Sequence, residues 1–199
     1  MSSNENVRIG IILASVRQGR RGEGVAQWVR ELVAARPGVE VEWLDLREHA
    51  LGPYLHEQTP SVIEKSYVDP AQRAWSETIH ALDGYVLVTP EYNHGYPGQL
   101  KNALDHVQQG WWYKPACFVS YGGPAGGARA VEQLRGVCAE LRMVTVRGEV
   151  NISLVNLQRD EAGRPTDPLH GKRATAMIDQ LLWWARACRS ARAAEAPPA

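Results

Sequence analysis

Residues 7–24 read VRIGIILASVRQGRRGEG, and the change of character within them decides the fold. Val7 to Ala14 is a short apolar run rich in β-branched side chains, the pattern of a buried strand. Ser15 to Gly24 is polar and glycine-rich, the pattern of a loop. Val25, Trp28, Val29, Leu32 and Val33 then recur at i, i+3, i+4, i+7 and i+8, an apolar stripe on one face of a helix. Pro37-Gly38 ends that helix.

The alternation of periods continues outward. Val39 to Leu46 sets Val39, Val41 and Trp43 against Glu40 and Glu42, a strand with one wetter face near a sheet edge. Residues 47–68 are irregular and carry Pro53 and Pro60. A loop of that length is functional or flexible, and it is expected to border the substrate opening. Ala71, Ala74, Trp75, Thr78, Ile79 and Leu82 mark a second helix. Tyr85 to Thr89 is a third strand, apolar on both faces. Leu100, Ala103, Leu104 and Val107 mark a third helix, and Pro115 to Ser120 a fourth strand. Ala130, Val131, Leu134, Val137, Cys138 and Leu141 predict a fourth helix. Met143 to Val150 is a fifth strand. Ala174, Met177, Ile178, Leu181, Leu182 and Ala185 place the last helix.

Five strands alternating with five helices, with uniformly apolar central strands, predict a parallel sheet covered on both faces. Right-handed crossovers restrict it to a few doubly wound orders. Ligands of such sheets bind at the carboxyl ends of the strands, so the loops after strands one, three and four should share one site. Residues 7–189 are expected to form a single domain, with 1–6 and 190–199 as flexible tails.

Composition narrows the functional classes. The chain has 199 residues, and 22 Lys+Arg balance 22 Asp+Glu. Zero net charge argues against a basic nucleic-acid binder and against an acidic carrier. The apolar runs are strand-sized, far short of the ~20 residues that cross a bilayer, so no membrane attachment is expected. The polar start, Met1 to Asn6, has no signal-peptide core. Cys117, Cys138 and Cys188 are widely spaced, which suggests reduced thiols in a cytoplasmic protein.

Three loops carry chemistry. In the first, Ser15 offers a hydroxyl and Arg17 a guanidinium fork suited to phosphate oxygens. Gly19 and Gly22 permit close backbone approach, and the helix N-terminus behind them favours an anion. No G-x-x-x-x-G-K-[ST] is present, which excludes a P-loop. The first loop also lacks G-x-G-x-x-G, which disfavours a nicotinamide-binding Rossmann site. The second loop, Thr89 to Gly98, is stiffened by Pro90 and Pro97. Its peptide groups can read the edge of a planar heterocycle, with Tyr92 or Tyr96 stacked beside it. The third, Ser120-Tyr121-Gly122-Gly123, lacks side chains where a flat ligand would lie.

These motifs resemble those of the NADPH-dependent FMN reductase family. The family's G-S-x-R is met by Ala14-Ser15-Val16-Arg17. Its P-E-Y-N-x-x-x-P-G-x-L-K-N-x-[IL]-D is met by Pro90-Glu91-Tyr92-Asn93 followed by Pro97-Gly98-Gln99-Leu100-Lys101-Asn102-Ala103-Leu104-Asp105. Its S-x-G-G is met by Ser120 to Gly123, and the likeness extends over roughly residues 7–185.

The resemblance implies a flavodoxin-like three-layer α/β sandwich with strand order 2-1-3-4-5. It implies an enzyme in which FMN takes hydride at N5 from NADPH or NADH. Electrons then pass by a ping-pong cycle to a quinone, free flavin, azo compound or similar acceptor. The alternative is a flavodoxin-like electron carrier or an FMN-binding module without turnover. Ser15, Arg17 and nearby loop residues would hold the phosphate. Pro90, Glu91, Tyr92 and Asn93 would line the isoalloxazine, largely through main-chain atoms, and Ser120, Gly122 and Gly123 its other side. Where relatives place a further hydroxyl for the phosphate, this chain has Gly19-Arg20-Arg21-Gly22, so Arg20, Arg21 or backbone N–H groups stand as substitutes. Self-association as a dimer or tetramer is also implied.

The six histidines show no metal-binding spacing. Lys101 and Asn102 are read as helix-terminal hydrogen-bonding residues. Trp111-Trp112-Tyr113 reads equally as core or as a cover for a neighbouring subunit's flavin. Of Trp183-Trp184, at least one ring is expected inside.

Overall fold

A computed structural model of the chain describes residues 6–49 and 51–198. Five strands, β1 (Val7–Leu13), β2 (Val39–Asp45), β3 (Gly84–Pro90), β4 (Pro115–Tyr121) and β5 (Val144–Ile152), pair in the order β2-β1-β3-β4-β5. Every pairing is parallel, as the apolar central strands require. Each residue of β3 and β4 is buried, while β2, the edge strand with alternating glutamates, is half-buried along its first five residues except for the exposed Glu40.

Side chains alternate between the two faces with a period of two. Ile9, Ile11, Leu13, Val86, Val88, Cys117 and Val119 pack on one face beneath α1 (Gly22–Ala34) and α6 (Pro168–Ala194). Ile12, Leu87 and Phe118 pack on the other beneath α3 (Pro70–Ala81), α4 (Gly98–Asp105) and α5 (Ala128–Glu140). The result is the expected three-layer sandwich. None of the described helices is long and apolar enough to cross a membrane.

Several expectations are corrected. Residues 47–68 contain a one-turn helix, α2 (Pro60–Ile63), and are fastened to the α3–α4 side. The buried Glu64 carboxylate accepts the Gln108 and Gln109 N–H groups, and the Tyr67 hydroxyl donates to the His106 carbonyl. Asn102 Nδ2 donates to the carbonyls of Leu51 and Gly52. Its neighbour Lys101 pairs with Asp105 one turn on. Both act as hydrogen-bonding residues, but not at the helix end.

The last helix runs to Ala194, five residues beyond Arg189. Pro198 O then accepts from Tyr113 and Arg142. Residues 190–198 are therefore fastened rather than frayed. The tail expected over 1–6 lies outside the described residues except for Asn6, whose carbonyl accepts from Arg189.

Trp111 is core. It is fully buried, its Nε1 donates to the Leu104 carbonyl, and its ring meets Tyr85 edge-on at 4.7 Å. Trp183 and Trp184 are instead 61% and 39% exposed. The buried face of α6 is filled by Leu181, Leu182 and Ala185, and Trp183 lies about 200° around the helix from Leu181.

Trp111→Ala is expected to lower stability by about 3–5 kcal/mol. Trp183→Ala should change it by no more than about 0.5 kcal/mol. Urea unfolding of the two variants tests both placements.

Candidate functional site

The parallel register brings the three motif-bearing loops to one rim. Leu13 of β1 lies opposite Val88 of β3, and Thr89 of β3 opposite Ser120 of β4. The loops after these strands open on one cavity of about 600 Å³, within the range of small-molecule and cofactor sites. Ser15, Arg17, Arg20, Arg21, Pro90, Glu91, Tyr92, Gly122 and Gly123 all line it. Gly22, Asn93 and Ser120 are not part of its wall. Gly22 is buried as the first residue of α1. Asn93 and His94, at φ 50° and 69°, make the bend of a turn closed by reciprocal Tyr92–Gly95 backbone bonds, a conformation that asparagine tolerates. The buried Ser120 hydroxyl donates to Gly126 O and accepts from Asn151 Nδ2.

Gly19 lines the cavity as its loop position implies, and two further lining features were not singled out beforehand: the Tyr121 side chain and the segment Leu154 to Leu157 after β5. Tyr121 occupies the variable position of S-x-G-G. Residues 154–157 have no compositional mark, and only the rule that ligands sit at strand carboxyl ends points to them. The 47–68 segment lines no part of the cavity. From its start, Arg47 reaches the first loop, donating to the Arg17 carbonyl.

Charge is unevenly committed. The Arg20 guanidinium donates to both carboxylate oxygens of Asp45 and to the Ser15 carbonyl. The Arg20 and Asp45 side chains are only 4% and 5% exposed. Burial pushes the Asp45 carboxyl up, but hydrogen bonds from Arg20 and from the Arg47 N–H outweigh it, and the group sits below the ordinary carboxylate range. Arg17 and Arg21 are exposed at the cavity. The Arg17 guanidinium lies 5.7 Å from the centre of the Tyr92 ring. Ser15 Oγ and the Tyr92 hydroxyl are 2.7 Å apart.

On the opposite wall, Glu91 is paired with Arg129. Burial raises its carboxyl, and the Arg129 hydrogen bond and charge bring it below its ordinary value. The peptide N–H of Glu91 donates to Tyr121 O and that of Tyr92 to Gly95 O. Gly127, at φ 88°, is required where β4 meets α5: a Cβ there would lie 2.6 Å from that of Ser120.

The cavity suits a phosphorylated flat heterocycle. No side chain caps the N-terminus of α1, so its first N–H groups are available to an anion. Tyr121 Oη and Glu91 Oε2 are buried and make no hydrogen bond of good geometry among the described residues. Nothing lies within 4 Å of a Cβ built on Gly123, which leaves room for a ring against the backbone.

The fold is that of a flavodoxin-like α/β protein, with a cavity of cofactor size on the carboxyl rim of its sheet. The model of the family described as NADPH-dependent FMN reductase matches residues 7–156, and the chain belongs to that family. It is 39% identical over 153 residues to an NAD(P)H-dependent FMN reductase of Saccharomyces cerevisiae, covering 71% of this chain and 78% of the yeast protein. A relative of the same description in Schizosaccharomyces pombe is 39% identical over 136 residues, 68% of each chain. In structure, the chain is similar to a flavoenzyme NAD(P)H:(acceptor) oxidoreductase from Paracoccus denitrificans. That comparison has a TM-score of 0.71 at 22% identity, and covers 90% of this chain and 97% of the other. The protein is an FMN-dependent NAD(P)H oxidoreductase that acts on small-molecule acceptors.

Asp45→Ala takes the carboxylate from the buried Arg20 guanidinium, leaving it the Ser15 carbonyl and the exposed Glu23 3.6 Å from Nε, and is expected to cost about 3 kcal/mol. The stabilisation is complete above the ordinary carboxylate range, near pH 4, and is lost as pH falls through the depressed native value. Unfolding measured from pH 7 down to pH 2 should therefore show a shallower acid limb for Asp45→Asn than for the parent.

Proposed function

We propose that the protein is a quinone-type reductase whose FMN is held by the three loops described, within one domain that runs from residue 7 through the last helix. The observation that carries this reading is the convergence of Ser15, Arg17, Tyr92, Gly122 and Gly123 on one cavity from segments more than a hundred residues apart. The Arg17 guanidinium and the uncapped N–H groups of α1 bind the phosphate, with Arg21 beside them. The backbone from Pro90 to Asn93, fixed by the Glu91–Arg129 pair, lines one edge of the ring. The Asn93 and Gly123 N–H groups, free of protein acceptors among the described residues, are the donors available to its polar atoms. Ser120 supports the third loop from behind, and Gly122 and Gly123 let the ring approach the backbone.

Bound there, FMN supplies two-electron redox chemistry between a nicotinamide and an acceptor. The protein's part is to orient the ring and leave one face open. Leu154 and Leu157, exposed at the cavity, give that opening an apolar rim suited to a quinone. A 2-hydroxy-1,4-benzoquinone reductase from Burkholderia, 36% identical over 121 residues, 57% of this chain and 66% of its own, supports the quinone as acceptor. Self-association belongs to this reading and is supported by the exposed Trp183–Trp184 pair, whose rings meet edge-on at 4.9 Å. A cytoplasmic location is supported by the free thiols of Cys117, Cys138 and Cys188.

Purified protein loaded with FMN should oxidise NADPH or NADH continuously with benzoquinone, with parallel double-reciprocal lines. Oxidation that stops after one equivalent per flavin would identify a carrier instead. Arg17→Ala should weaken FMN binding at least about tenfold, the scale of a lost charge-assisted hydrogen bond, with little change in the melting temperature of the flavin-free protein. Unchanged FMN affinity in that variant refutes the phosphate assignment.

A further inference from the structure

Tyr121 ends β4 with its ring among the core residues beneath α1, and it is 4% exposed. Its hydroxyl lies under the first turn of α1, so close that a Cβ on Gly22 would be 2.2 Å from the oxygen. That oxygen is buried and makes no hydrogen bond of good geometry among the described residues; the Ser15 hydroxyl close to it is engaged with Tyr92. Phenylalanine would fill the same apolar space without burying a polar atom. An unpaired buried hydroxyl carries a desolvation cost, and here a glycine at position 22 makes room for it. Such an arrangement calls for a ligand that completes the hydroxyl's hydrogen bonding.

The surroundings say what kind. Ser15, Arg17, Arg21 and Tyr92 line the same cavity as Tyr121, and the N-terminus of α1 is uncapped. Arg20, one of the substitutes for the missing loop hydroxyl, has its guanidinium committed to Asp45 and the Ser15 carbonyl. The first loop therefore has no second side-chain hydroxyl beside Ser15, and the end of β4 holds one against it.

We propose that the Tyr121 hydroxyl is a phosphate ligand: it donates to a phosphoryl oxygen of FMN in place of the hydroxyl that the first loop does not supply. This rests on the reading that the first loop holds the phosphate. Burial pushes the Tyr121 phenol above its ordinary range, so it stays a protonated donor beside an anion rather than a competing charge. The donor is delivered by the end of a fully buried strand, which makes it rigid. It also ties phosphate recognition to the third loop, since Gly122 and Gly123 follow directly.

The test compares FMN with riboflavin, which has the same ring and no phosphate. Flavin-free protein is titrated with each, following quenching of flavin fluorescence. Tyr121→Phe is expected to weaken FMN binding about 10- to 100-fold and to leave riboflavin binding within about twofold. Its melting temperature without flavin should be no lower than the parent's. An unchanged FMN-to-riboflavin affinity ratio overturns the proposal, whether both affinities stay the same or both fall together as a ring-packing role requires. Arg17→Ala separates the two levels of inference. If it lowers the ratio and Tyr121→Phe does not, the first loop holds the phosphate and Tyr121 takes no part. If neither lowers it, the phosphate reading fails as a whole.

Discussion

Parallel pairing of β1, β3 and β4 is the constraint on which the rest depends. A parallel ladder aligns the strands in one direction, so three loops far apart in sequence emerge on the same rim. The pairing holds because these strands are apolar on both faces and each face is covered by helices. The buried faces also fix the register: a slip by one residue would exchange the sets packed under α1 and under α4. The cavity is thus a consequence of core packing well below it.

A second constraint acts within the rim. The Arg20–Asp45 pair ties the first loop to the end of β2, and Arg47 holds the same loop through the Arg17 carbonyl. A buried pair of this kind contributes less net stability than its geometry suggests, because both charges lose water. Its effect on the site is positional. It commits the guanidinium of one cavity-lining arginine to Asp45 and presents the main chain from Ser15 to Gly19 in a fixed course. On the opposite wall, the Glu91–Arg129 pair does the same for the loop after β3.

Much of this was legible in the sequence for a physical reason. Strand and helix periods differ, so VRIGIIL and the stripe from Val25 to Val33 announce their elements without reference to the rest of the chain. The edge position of β2 followed from its glutamates, and the motif residues Ser15, Arg17, Glu91, Tyr92, Gly122 and Gly123 fell into one cavity because end-of-strand loops must. The errors share a different origin. Trp183 and Trp184 are as apolar as any core residue, and their exposure depends on which face of α6 the sheet had already filled. The 47–68 segment looks loose in composition, yet Glu64, Tyr67 and Asn102 fasten it through partners 39 to 51 residues away.

The sequence by itself determined the class of fold, the rim that carries the cavity and the family resemblance that fixes the cofactor, because each is encoded in local period or contiguous motif. Only the tertiary structure decided the division of labour among polar groups. Arg20 and Arg17 look alike as loop cations, but Asp45, twenty-five residues beyond Arg20, takes one and leaves the other at the cavity. Tyr121 reads as a strand residue, and its hydroxyl has significance only because α1 folds over it with a glycine at the point of contact. Pairing between distant residues sets which charge is free and which hydroxyl is unpaired, and no local pattern carries that information.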